Sequence, residues 1–380
     1  MIEPVGGYGG LEIYDLGVCK ALADVGCDVT LYTCVNTGGQ ELEGYFSIKR
    51  VFGDMYNQKK NKLIRAYFFV IGLFKVVINT FKSRSDIIYC HIFTFSFVEF
   101  LILLTSALSN IKYVINIHDP VSFGKRNNKF LIFLFSKIFS KKNVFVTTHT
   151  FYSKKTLNKI FPSLPVAVMA YSDVDFLYKN SYSEASCRNE IELNNDNEYV
   201  IFFGQIKSSK GIDTLIEAWK IVHKINSNYR LLIVGRCWQN DCSKYVRQIE
   251  SLGLGESVIW REEYVPDCDV HCYFKSSSLI VLPYTRIYSS AVLIRSLDYG
   301  KPVIVSDQEA FTEIVSDHET ALVFKTGSAV DLSKKIIELL TDVELQKYLV
   351  ENSKKLIERD FTWIVIGKKM QHLFDFILKQ

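Results

Sequence analysis

Residues 199–211 read YVIFFGQIKSSKG, and this short stretch decides which fold is predicted. Its first five residues are apolar without interruption, which is typical of a parallel strand buried on both faces of a sheet. A glycine loop with two lysines follows, and residues 212–222 then repeat apolar positions at helical spacing. The stretch therefore predicts one strand–loop–helix unit of a parallel α/β sheet.

The same unit recurs along the chain in two series. Helical patterns separate short apolar runs, and these runs predict strands at 28–33, 87–90, 113–117, 144–147, 166–169, 199–203, 230–234, 258–260, 279–282 and 303–305. Polar and acidic residues without apolar periodicity divide the two series near residues 172–197, which we interpret as an interdomain linker. We therefore expect two doubly wound, Rossmann-like α/β domains, one over residues 1–171 and one over residues 172–360.

The composition agrees with two globular domains and indicates an anionic partner. The 380 residues are 48% apolar and 23% charged, which excludes a disordered chain, a collagen-like repeat and a small disulfide scaffold. The formal net charge is +4, but residues 55–171 hold 17 Lys and Arg against three acidic residues, so this region carries +14 and the rest −10. Such asymmetry predicts binding to nucleic acid, an anionic membrane surface or a phosphorylated substrate.

The nine cysteines do not resemble a disulfide framework, because their number is odd and their spacings match no known module. The first residues also lack the pattern of a signal peptide. We therefore expect buried free thiols in a reducing cytosol. The alternative is a zinc site, whose ligands would be Cys237, Cys242, Cys268, His271 and Cys272, but their separations differ from a CxxC knuckle.

Several apolar stretches raise the question of a membrane. A spanning helix needs about 20 apolar residues, and residues 66–81, 87–108 and 130–139 are interrupted by polar or charged residues or are too short. Residues 59–84, however, combine an apolar run with seven cations and no acidic residue, and residues 130–142 repeat this pattern. The pattern favours helices that lie in the interface of an anionic membrane. A buried helix with solvated charged ends is the alternative.

A glycine-rich loop, GGYGG at residues 6–10, precedes a predicted helix at 13–23. Glycines let backbone N–H groups approach a ligand closely, and a helix N-terminus favours an anion. Neither GxGxxG nor GxxxxGK[ST] occurs in the sequence, so a dinucleotide or P-loop site is not predicted. A tight turn without a ligand is the alternative.

In doubly wound sheets, ligands bind outside the carboxyl ends of the strands. In the second series these ends carry the cations Lys207, Lys210 and Arg236, and two serines, Ser289 and Ser290, that open a helix. Two lysines near a helix start form a candidate diphosphate site, because they can neutralise charge on a leaving group. The alternative is that these lysines are simply solvated.

The order of these motifs resembles glycosyltransferase family 4 over nearly the whole chain. The motifs are the glycine loop, GQIKSSKG at 204–211, LIVGR at 232–236, YVPD at 264–267, VLPY at 281–284, YGKPVIVSD at 299–307 and TEIV at 312–315. The resemblance implies the GT-B fold, in which two Rossmann-like domains face each other across a cleft. It also implies a retaining enzyme whose closing helix, over residues 361–380, crosses back onto the first domain.

The resemblance further implies roles for individual residues. His118 matches the first-domain histidine that faces the donor sugar, Lys210 matches the lysine on the diphosphate, and Lys207 is a second cation. These three are the implied catalytic residues, although a packed strand-end histidine is the alternative for His118. The implied donor-binding residues are Gly6, Gly7, Gly9, Gly10, Gly204, Gln205, Arg236, Tyr264, Val265, Arg286, Ser289, Ser290, Ala291, Val292 and Glu313.

Three positions depart from the family pattern. Gln205 stands where the family commonly has arginine, so Lys207 would have to supply the missing charge. Ile287 and Arg295 occupy the positions of two family glutamates, of which the second contacts ribose. The run SSAV at 289–292 resembles the substitute motif of a subset of relatives, and its N–H and hydroxyl groups can still bind phosphate oxygens.

We therefore expect a retaining transfer of a sugar from a nucleotide-sugar donor to a glycan or lipid-diphosphate-linked acceptor in surface polysaccharide biosynthesis. No metal or other cofactor is expected. Residues 173–175 and 267–269 have DxD patterns, but cations already occupy the predicted diphosphate site. The basic first domain predicts docking on an anionic lipid surface. The resemblance implies a cytoplasmic enzyme that is held peripherally on the inner face of the cytoplasmic membrane.

Two other functions fit the same fold. A non-catalytic, membrane-docked partner protein would account for the missing glutamates, whereas a sugar-nucleotide epimerase or hydrolase would need carboxylates for proton abstraction. Nucleic-acid binding is not favoured, because aromatic residues of the basic region form apolar rows rather than alternating with arginine. Only residues 1–5 precede the glycine loop, so we expect the natural chain to begin several residues upstream.

Overall fold

The computed structural model describes residues 1–6, 11–54, 61–93, 95–105, 111–121, 128–172, 174–178, 182–238 and 242–380. The chain divides into two compact units. The first unit comprises Met1–Ser172 and Thr362–Gln380, and the second comprises Asp173–Phe361. Each unit contains one parallel sheet with helices between its strands.

The first unit is built on a seven-stranded parallel sheet. Its strands are β1 (Ile2–Glu3), β2 (Thr30–Cys34), β3 (Ser47–Phe52), β4 (Ile87–Ile92), β5 (Lys112–Ile117), β6 (Val144–Thr148) and β7 (Val166–Val168). They lie in the order β3-β2-β1-β4-β5-β6-β7. The chain runs outward from β1 in one direction and from β4 in the other, so the strand order reverses between these two strands.

Helices cover both faces of this sheet. They are α1 (Leu11–Asp24), α2 (Lys62–Ser83), α3 (Phe97–Leu104), α4 (Lys129–Phe139) and α5 (Phe151–Ile160). Buried residues of α2 to α5, such as Phe69, Leu103, Phe135 and Leu157, share one apolar core with the strands, so these helices cover one face. Successive strand residues point to opposite faces, and α1 packs against the side chains of β4 that point away from this core.

The second unit repeats the same architecture with six parallel strands. They are β8 (Glu198–Phe203), β9 (Tyr229–Val234), β10 (Val258–Arg261), β11 (Leu279–Leu282), β12 (Val303–Ser306) and β13 (Leu322–Phe324), in the order β10-β9-β8-β11-β12-β13. Its helices are α6 (Glu184–Glu190), α7 (Ile212–Val222), α8 (Ser243–Ser251), α9 (Asp267–Ser276), α10 (Ala291–Asp298), α11 (Glu309–Thr312), α12 (Ala329–Thr341) and α13 (Val343–Asp360). The strand order reverses between β8 and β11.

The last helix, α14 (Trp363–Leu378), returns to the first unit and packs against α1. A Cβ atom on Gly17 of α1 would lie 2.2 Å from the Trp363 ring, and one on Gly367 would lie 2.5 Å from the carbonyl oxygen of Ala21. Glycine is therefore required on each helix for this close approach.

The predicted α/β fold with two parallel sheets is confirmed, and one detail of the chain organisation is corrected. The polar segment near residues 172–197 is not wholly a linker, because α6 folds within it. Ser183 caps this helix by accepting a hydrogen bond from the backbone N–H of Ser186, and Cys187 is fully buried. A helix with a single buried position leaves no apolar periodicity to detect.

By length and composition alone, one helical stretch of the described residues could cross a membrane. Leu63–Ser83 has a mean hydropathy of 1.6 over its most apolar 18-residue window, of which 22% is buried. Lys75 therefore does not lower the mean hydropathy of this stretch as much as we expected from the sequence. The stretch also belongs to the fold of the first unit, since a Cβ atom on Gly72 would lie 2.3 Å from the Phe52 ring.

Candidate active site

The loops at the carboxyl ends of β8, β9 and β11 meet in the second unit. A Cβ atom on Gly211 would lie 1.9 Å from the carbonyl oxygen of Pro283, and one on Gly235 would lie 1.9 Å from that of Gly204. Gly211 has a φ of +65°, a left-handed conformation that glycine adopts without strain. These loops converge where the strand order reverses, which is where doubly wound sheets bind ligands.

Lys210 brings a positive charge to these loops. Ser208–Lys210 form a single 3-10 turn, which accepts a backbone hydrogen bond of 2.9 Å from Thr285 in the loop after β11. The Lys210 Nζ lies 3.4 Å from the centre of the Tyr284 ring. Tyr284 is fully buried, and burial raises the pKa of its hydroxyl, so the ring stays neutral beneath the cation. Lys207, just before the turn, is half-buried.

The first turn of α10 lies beside the same loops. Ser290 caps the helix, because its hydroxyl accepts a hydrogen bond of 3.2 Å from the backbone N–H of Leu293. A Cβ atom on Gly204 would lie 3.7 Å from a Val292 methyl group. The half-buried residues of this turn are Ser289, Ala291 and Val292. Backbone N–H groups at such a helix start favour an anion.

The positions of the two missing glutamates are both buried. Ile287 is 8% exposed and Arg295 is 5% exposed. Burial raises the pKa of Asp267, and the positive charge of Arg295 opposes that shift. Nearby in sequence, the Arg286 Nη2 donates a hydrogen bond of 2.8 Å to the Tyr288 hydroxyl. A buried arginine therefore stands where the resemblance places a carboxylate that contacts ribose.

In the DxD pattern at residues 173–175, only the second aspartate, Asp175, belongs to the described residues; Asp173 lies outside them. Asp175 is buried, and its Oδ1 accepts hydrogen bonds from the backbone N–H groups of Leu177 and Tyr178, at 3.0 and 2.8 Å. Its Oδ2 accepts a hydrogen bond from the Tyr299 hydroxyl. Asp175 therefore fixes the local turn and ties it to the end of α10.

The other predicted donor-binding residues of the second unit lie along the carboxyl ends of its strands. The side chains of Gln205, Arg236, Tyr264 and Glu313 are exposed, whereas Val265 is buried. Gln205 and Arg236 follow the adjacent strands β8 and β9. Tyr264 and Val265 follow β10, and Glu313 ends α11 after β12.

In the first unit, only Gly6 of the predicted glycine loop is described; Gly7, Gly9 and Gly10 lie outside the described residues. A Cβ atom on Gly6 would lie 2.3 Å from the Thr33 Oγ1. A larger residue would therefore collide with the end of β2.

His118 follows β5 and belongs to a buried polar cluster. Its Nε2 lies 2.9 Å from Nδ1 of His91, and its Nδ1 lies 3.2 Å from Nε2 of His149. The Asn116 amide nitrogen lies 2.9 Å from the same Nε2 of His149. Burial lowers the pKa of His118, and it lowers the pKa of His91 to about 4 and that of His149 to about 3. The three rings are therefore neutral at pH 7.

Sequence reasoning selected His118 but missed His91 and His149. The parallel pairing places Asn116 beside His91 on one neighbouring strand and beside Thr147 on the other. His118 and His149 each stand two residues later, so they point to the same face. Each of three successive apolar runs in the sequence ends in polar residues. This pattern could have predicted the cluster.

The prediction of free thiols is wrong for one cysteine pair. Cys237 and Cys242 form a disulfide across the loop after β9, with Cα atoms 5.9 Å apart, a separation that permits the bond. The other seven cysteines are free thiols. His271 and Cys272 lie with Cys187 in a separate buried group, so the zinc combination considered from the sequence is not assembled.

Comparisons with known proteins agree with this geometry. Residues 184–356 match the family model for glycosyl transferases group 1. The chain is 23% identical over 364 residues to an uncharacterized glycosyltransferase of Methanocaldococcus jannaschii, which covers 93% of this chain and 91% of the relative. It is 24% identical over 190 residues to the capsular polysaccharide biosynthesis glycosyltransferase CapM of Staphylococcus aureus, which covers 50% of this chain and 49% of the relative.

A solved structure extends the likeness to the whole fold. HepE of Anabaena, in complex with UDP and glucose, superimposes with a TM-score of 0.75 at 16% identity and covers 98% of each chain. The group 1 match falls within the unit that contains Lys210 and α10. Residues 184–356 therefore match a group 1 glycosyltransferase domain, and the whole chain has the two-domain α/β fold of HepE.

Proposed function

We propose that the protein transfers a sugar from a nucleotide-sugar donor to a glycan or lipid-diphosphate-linked acceptor, with retention of configuration and without a metal ion. The observation that carries this proposal is the Lys210 ammonium held over Tyr284, beside loops that meet where the second sheet reverses its strand order. An ammonium group close to helix N–H groups is suited to bind a diphosphate.

In the proposed reaction, the bond between the sugar C1 and the diphosphate oxygen breaks. A bond from the acceptor hydroxyl oxygen to C1 forms on the same face of the sugar. The acceptor proton passes to the departing phosphate oxygen, so the atoms and charges balance without a protein base. Lys210, Lys207 and the first turn of α10 stabilise the negative charge that develops on the diphosphate.

The similar proteins support the donor and the product. HepE was solved with UDP and glucose, and CapM is named for capsular polysaccharide biosynthesis. By this likeness, we assign the second unit to a nucleotide-sugar donor and the product to a surface polysaccharide. Gln205, Arg236, Tyr264 and Val265, at the ends of β8, β9 and β10, would extend the donor site around the diphosphate.

Helix α2 supplies the proposed membrane contact. Six of its eight large exposed apolar side chains recur at helical spacing and form one stripe, which we call the α2 stripe: Leu63, Tyr67, Val70, Phe74, Ile78 and Phe81. The opposite side of the helix packs inward through Phe69, Gly72 and Val76. Lys75 and Lys82 are exposed, and the helix contains no acidic residue. An apolar stripe with cations beside it suits a helix lying in anionic headgroups.

Further exposed aromatics lie on the same side of the first unit. Phe130 and Phe133 of α4 are 66% and 54% exposed, and Phe97 of α3 is 59% exposed. Because α2, α3 and α4 share one core on one face of the sheet, these rings belong to the same side as the α2 stripe. We therefore propose that the enzyme docks on the inner face of the cytoplasmic membrane, where it meets a lipid-linked acceptor.

The experiment that tests the proposed donor site begins with a thermal-shift screen of nucleotide sugars on the wild-type chain. At equal concentration, a donor that binds more tightly stabilises the native state more, which identifies the sugar and the base. Transfer rates with that donor are then compared for wild type, Lys210→Ala and Lys220→Ala. Lys220, exposed on α7, serves as the matched control for loss of one lysine.

We expect Lys210→Ala to lower the transfer rate by about 10²- to 10³-fold, because it removes one stabilising group from the leaving diphosphate. Lys220→Ala should retain the wild-type rate. A near-normal rate in a folded Lys210→Ala variant would contradict the diphosphate assignment.

A further inference from the structure

Three histidines of the first unit form a row beneath α1, at the carboxyl ends of β4, β5 and β6. The ring centroids of His91 and His118 are 4.9 Å apart, and those of His118 and His149 are 4.5 Å apart. Tyr14 of α1 meets all three rings edge-on, and the ring of Tyr171 stacks on Tyr14 at 4.5 Å. Each histidine is at most 6% exposed, so the row is shielded from bulk water.

One end of the row fixes the positions of the protons. Nδ1 of His149 lies 3.1 Å from the carbonyl oxygen of Met169. A carbonyl oxygen only accepts hydrogen bonds, so His149 carries its proton on Nδ1 and offers Nε2 as an acceptor. The Asn116 amide nitrogen, which only donates, lies 2.9 Å from this Nε2 and 3.3 Å from Nε2 of His118. Both contacts favour Nε2 atoms that carry no proton. The same amide nitrogen lies farther, 3.5 Å, from Nδ1 of His91, and this longer approach does not fix the proton of that atom.

The same donor-to-acceptor direction continues along the row from His149 toward His91. Nδ1 of His118 donates to Nε2 of His149 over 3.2 Å, and Nδ1 of His91 donates to Nε2 of His118 over 2.9 Å. Nε2 of His91 then offers a lone pair toward Oδ1 of Asp15, which lies 3.2 Å away. No hydrogen bond joins these two buried atoms, and a charged carboxylate would repel the lone pair that faces it. Burial raises the pKa of Asp15, which favours its neutral acid form beside His91.

We propose that His91 and His149 are positioning residues that hold His118 as a neutral imidazole, protonated on Nδ1 and with both ring nitrogens occupied. In this state His118 has neither a free lone pair nor a free N–H group with which to move a proton. It shapes its surroundings and does not receive the proton of the acceptor. This inference rests on the proposed function, in which that proton passes to the leaving diphosphate.

Other titratable groups surround the row from α1, β1, β4 and α3. They interact electrostatically with Asp15, His91 or Glu3, and they are the amino group of Met1, Glu3 itself, Glu12, Tyr14, Tyr89 and Glu99. Burial raises the pKa of Glu3 to about 8 and raises the pKa values of Tyr14 and Tyr89. These three groups are therefore mainly uncharged at pH 7.

The direct test is ¹⁵N nuclear magnetic resonance of the full chain with labelled histidine, from pH 5.5 to 8.5. We expect His91, His118 and His149 to show a protonated Nδ1 and an unprotonated Nε2, with constant shifts across this range. The exposed His372 of α14 provides the reference signal of a solvent-accessible imidazole. A protonated Nε2 on His118, titration of His118 in this range, or a metal ion bound to the row would overturn the proposal.

Two substitutions of His149 test the positioning role. His149→Leu removes the acceptor for the Nδ1 proton of His118, whereas His149→Gln can offer an amide oxygen in its place. In the leucine variant we expect His118 to titrate and the pH profile of kcat/KM to gain an ionisation that wild type and the glutamine variant lack. Identical His118 spectra in all three proteins would contradict the role. The spectra do not depend on activity, so failure of this proposal and failure of the proposed function are distinguished.

Discussion

At the scale of single residues, the first unit buries carboxyl groups that ordinarily face water. Glu3 is 2% exposed, and its Oε1 accepts a hydrogen bond of 2.9 Å from the backbone N–H of Val5. Burial raises the pKa of Glu3 to about 8 and raises that of Asp15, while it lowers the pKa values of the neighbouring histidines. The folded chain therefore binds protons differently from the unfolded chain on both sides of neutral pH.

These shifts predict that stability falls as the pH moves away from neutrality in either direction. Between pH 4.5 and 8, an unfolded Glu3 has released a proton that the folded chain retains, so stability falls as the pH rises. Between pH 6.5 and 4, unfolded histidines bind protons that the folded ones do not, so stability falls as the pH falls. Between pH 4.5 and 6.5 both effects act, and three histidines change the stability more than two carboxyl groups do. Stability therefore falls there as the pH falls.

Calorimetric unfolding of wild type and Glu3→Gln from pH 5 to 9 measures this effect. The substitution keeps a side-chain oxygen for the Val5 N–H but removes the titration, so we expect a smaller loss of stability between pH 6.5 and 8. In this range the pH slopes of the unfolding free energy of the two proteins should differ by about 1 kcal/mol per pH unit. Glu344→Gln, at an exposed position of α13, is the control and should follow wild type. Parallel curves for wild type and Glu3→Gln would show that Glu3 is not buried in its acid form.

At the scale of the element, α2 combines a packed side with the apolar α2 stripe. Phe74, at its centre, is 65% exposed, and burial of a phenylalanine side chain is worth roughly 1.5–3 kcal/mol. We expect Phe74→Glu to weaken binding to anionic vesicles by at least about tenfold, since every 1.4 kcal/mol changes affinity tenfold. Vesicle flotation with anionic and neutral lipids measures this.

The matched control for Phe74→Glu is Tyr348→Glu, at a residue of α13 in the second unit that is 52% exposed. This variant should bind anionic vesicles like wild type, and added salt should weaken the binding of both. Equal distribution of the wild-type chain on anionic and neutral vesicles, insensitive to salt, would contradict the membrane contact.

Elements differed in how well the sequence predicted them. The continuous apolar run of β8 is buried along nearly its whole length, and this strand was predicted where it lies. Edge strand β3 reads SIKRVF, and it was missed because Lys49 and Arg50 place a charge on each of its two faces. Helix α6 was missed because its one buried residue, Cys187, gives no period.

Only those parts of the candidate site that lie within sequence motifs could be predicted from the sequence. The loop with Lys207 and Lys210 was found from its place after a strand and from the family resemblance. The contact of Lys210 with Tyr284 was not, because 74 positions separate the two residues in the sequence and only the meeting of two loops joins them. The partnership of Asp15 with His91 likewise depends on how α1 packs over β4.

At the scale of the whole molecule, the two units repeat one architecture but carry different chemistry. The second unit matches the group 1 model and holds the cation, the glycine loops and the helix start that suit a diphosphate. The first unit carries most of the positive charge, the α2 stripe and the histidine row. We assign donor binding to the second unit, and acceptor and membrane binding to the first.

The central claim is a retaining transfer that needs no metal, and its most direct test is the anomeric configuration of the product formed in the presence of EDTA. With an α-linked nucleotide-sugar donor, we predict an α-linked product and an unchanged rate after chelation. A β-linked product, or a rate abolished by EDTA and restored by Mn²⁺ or Mg²⁺, would contradict the claim.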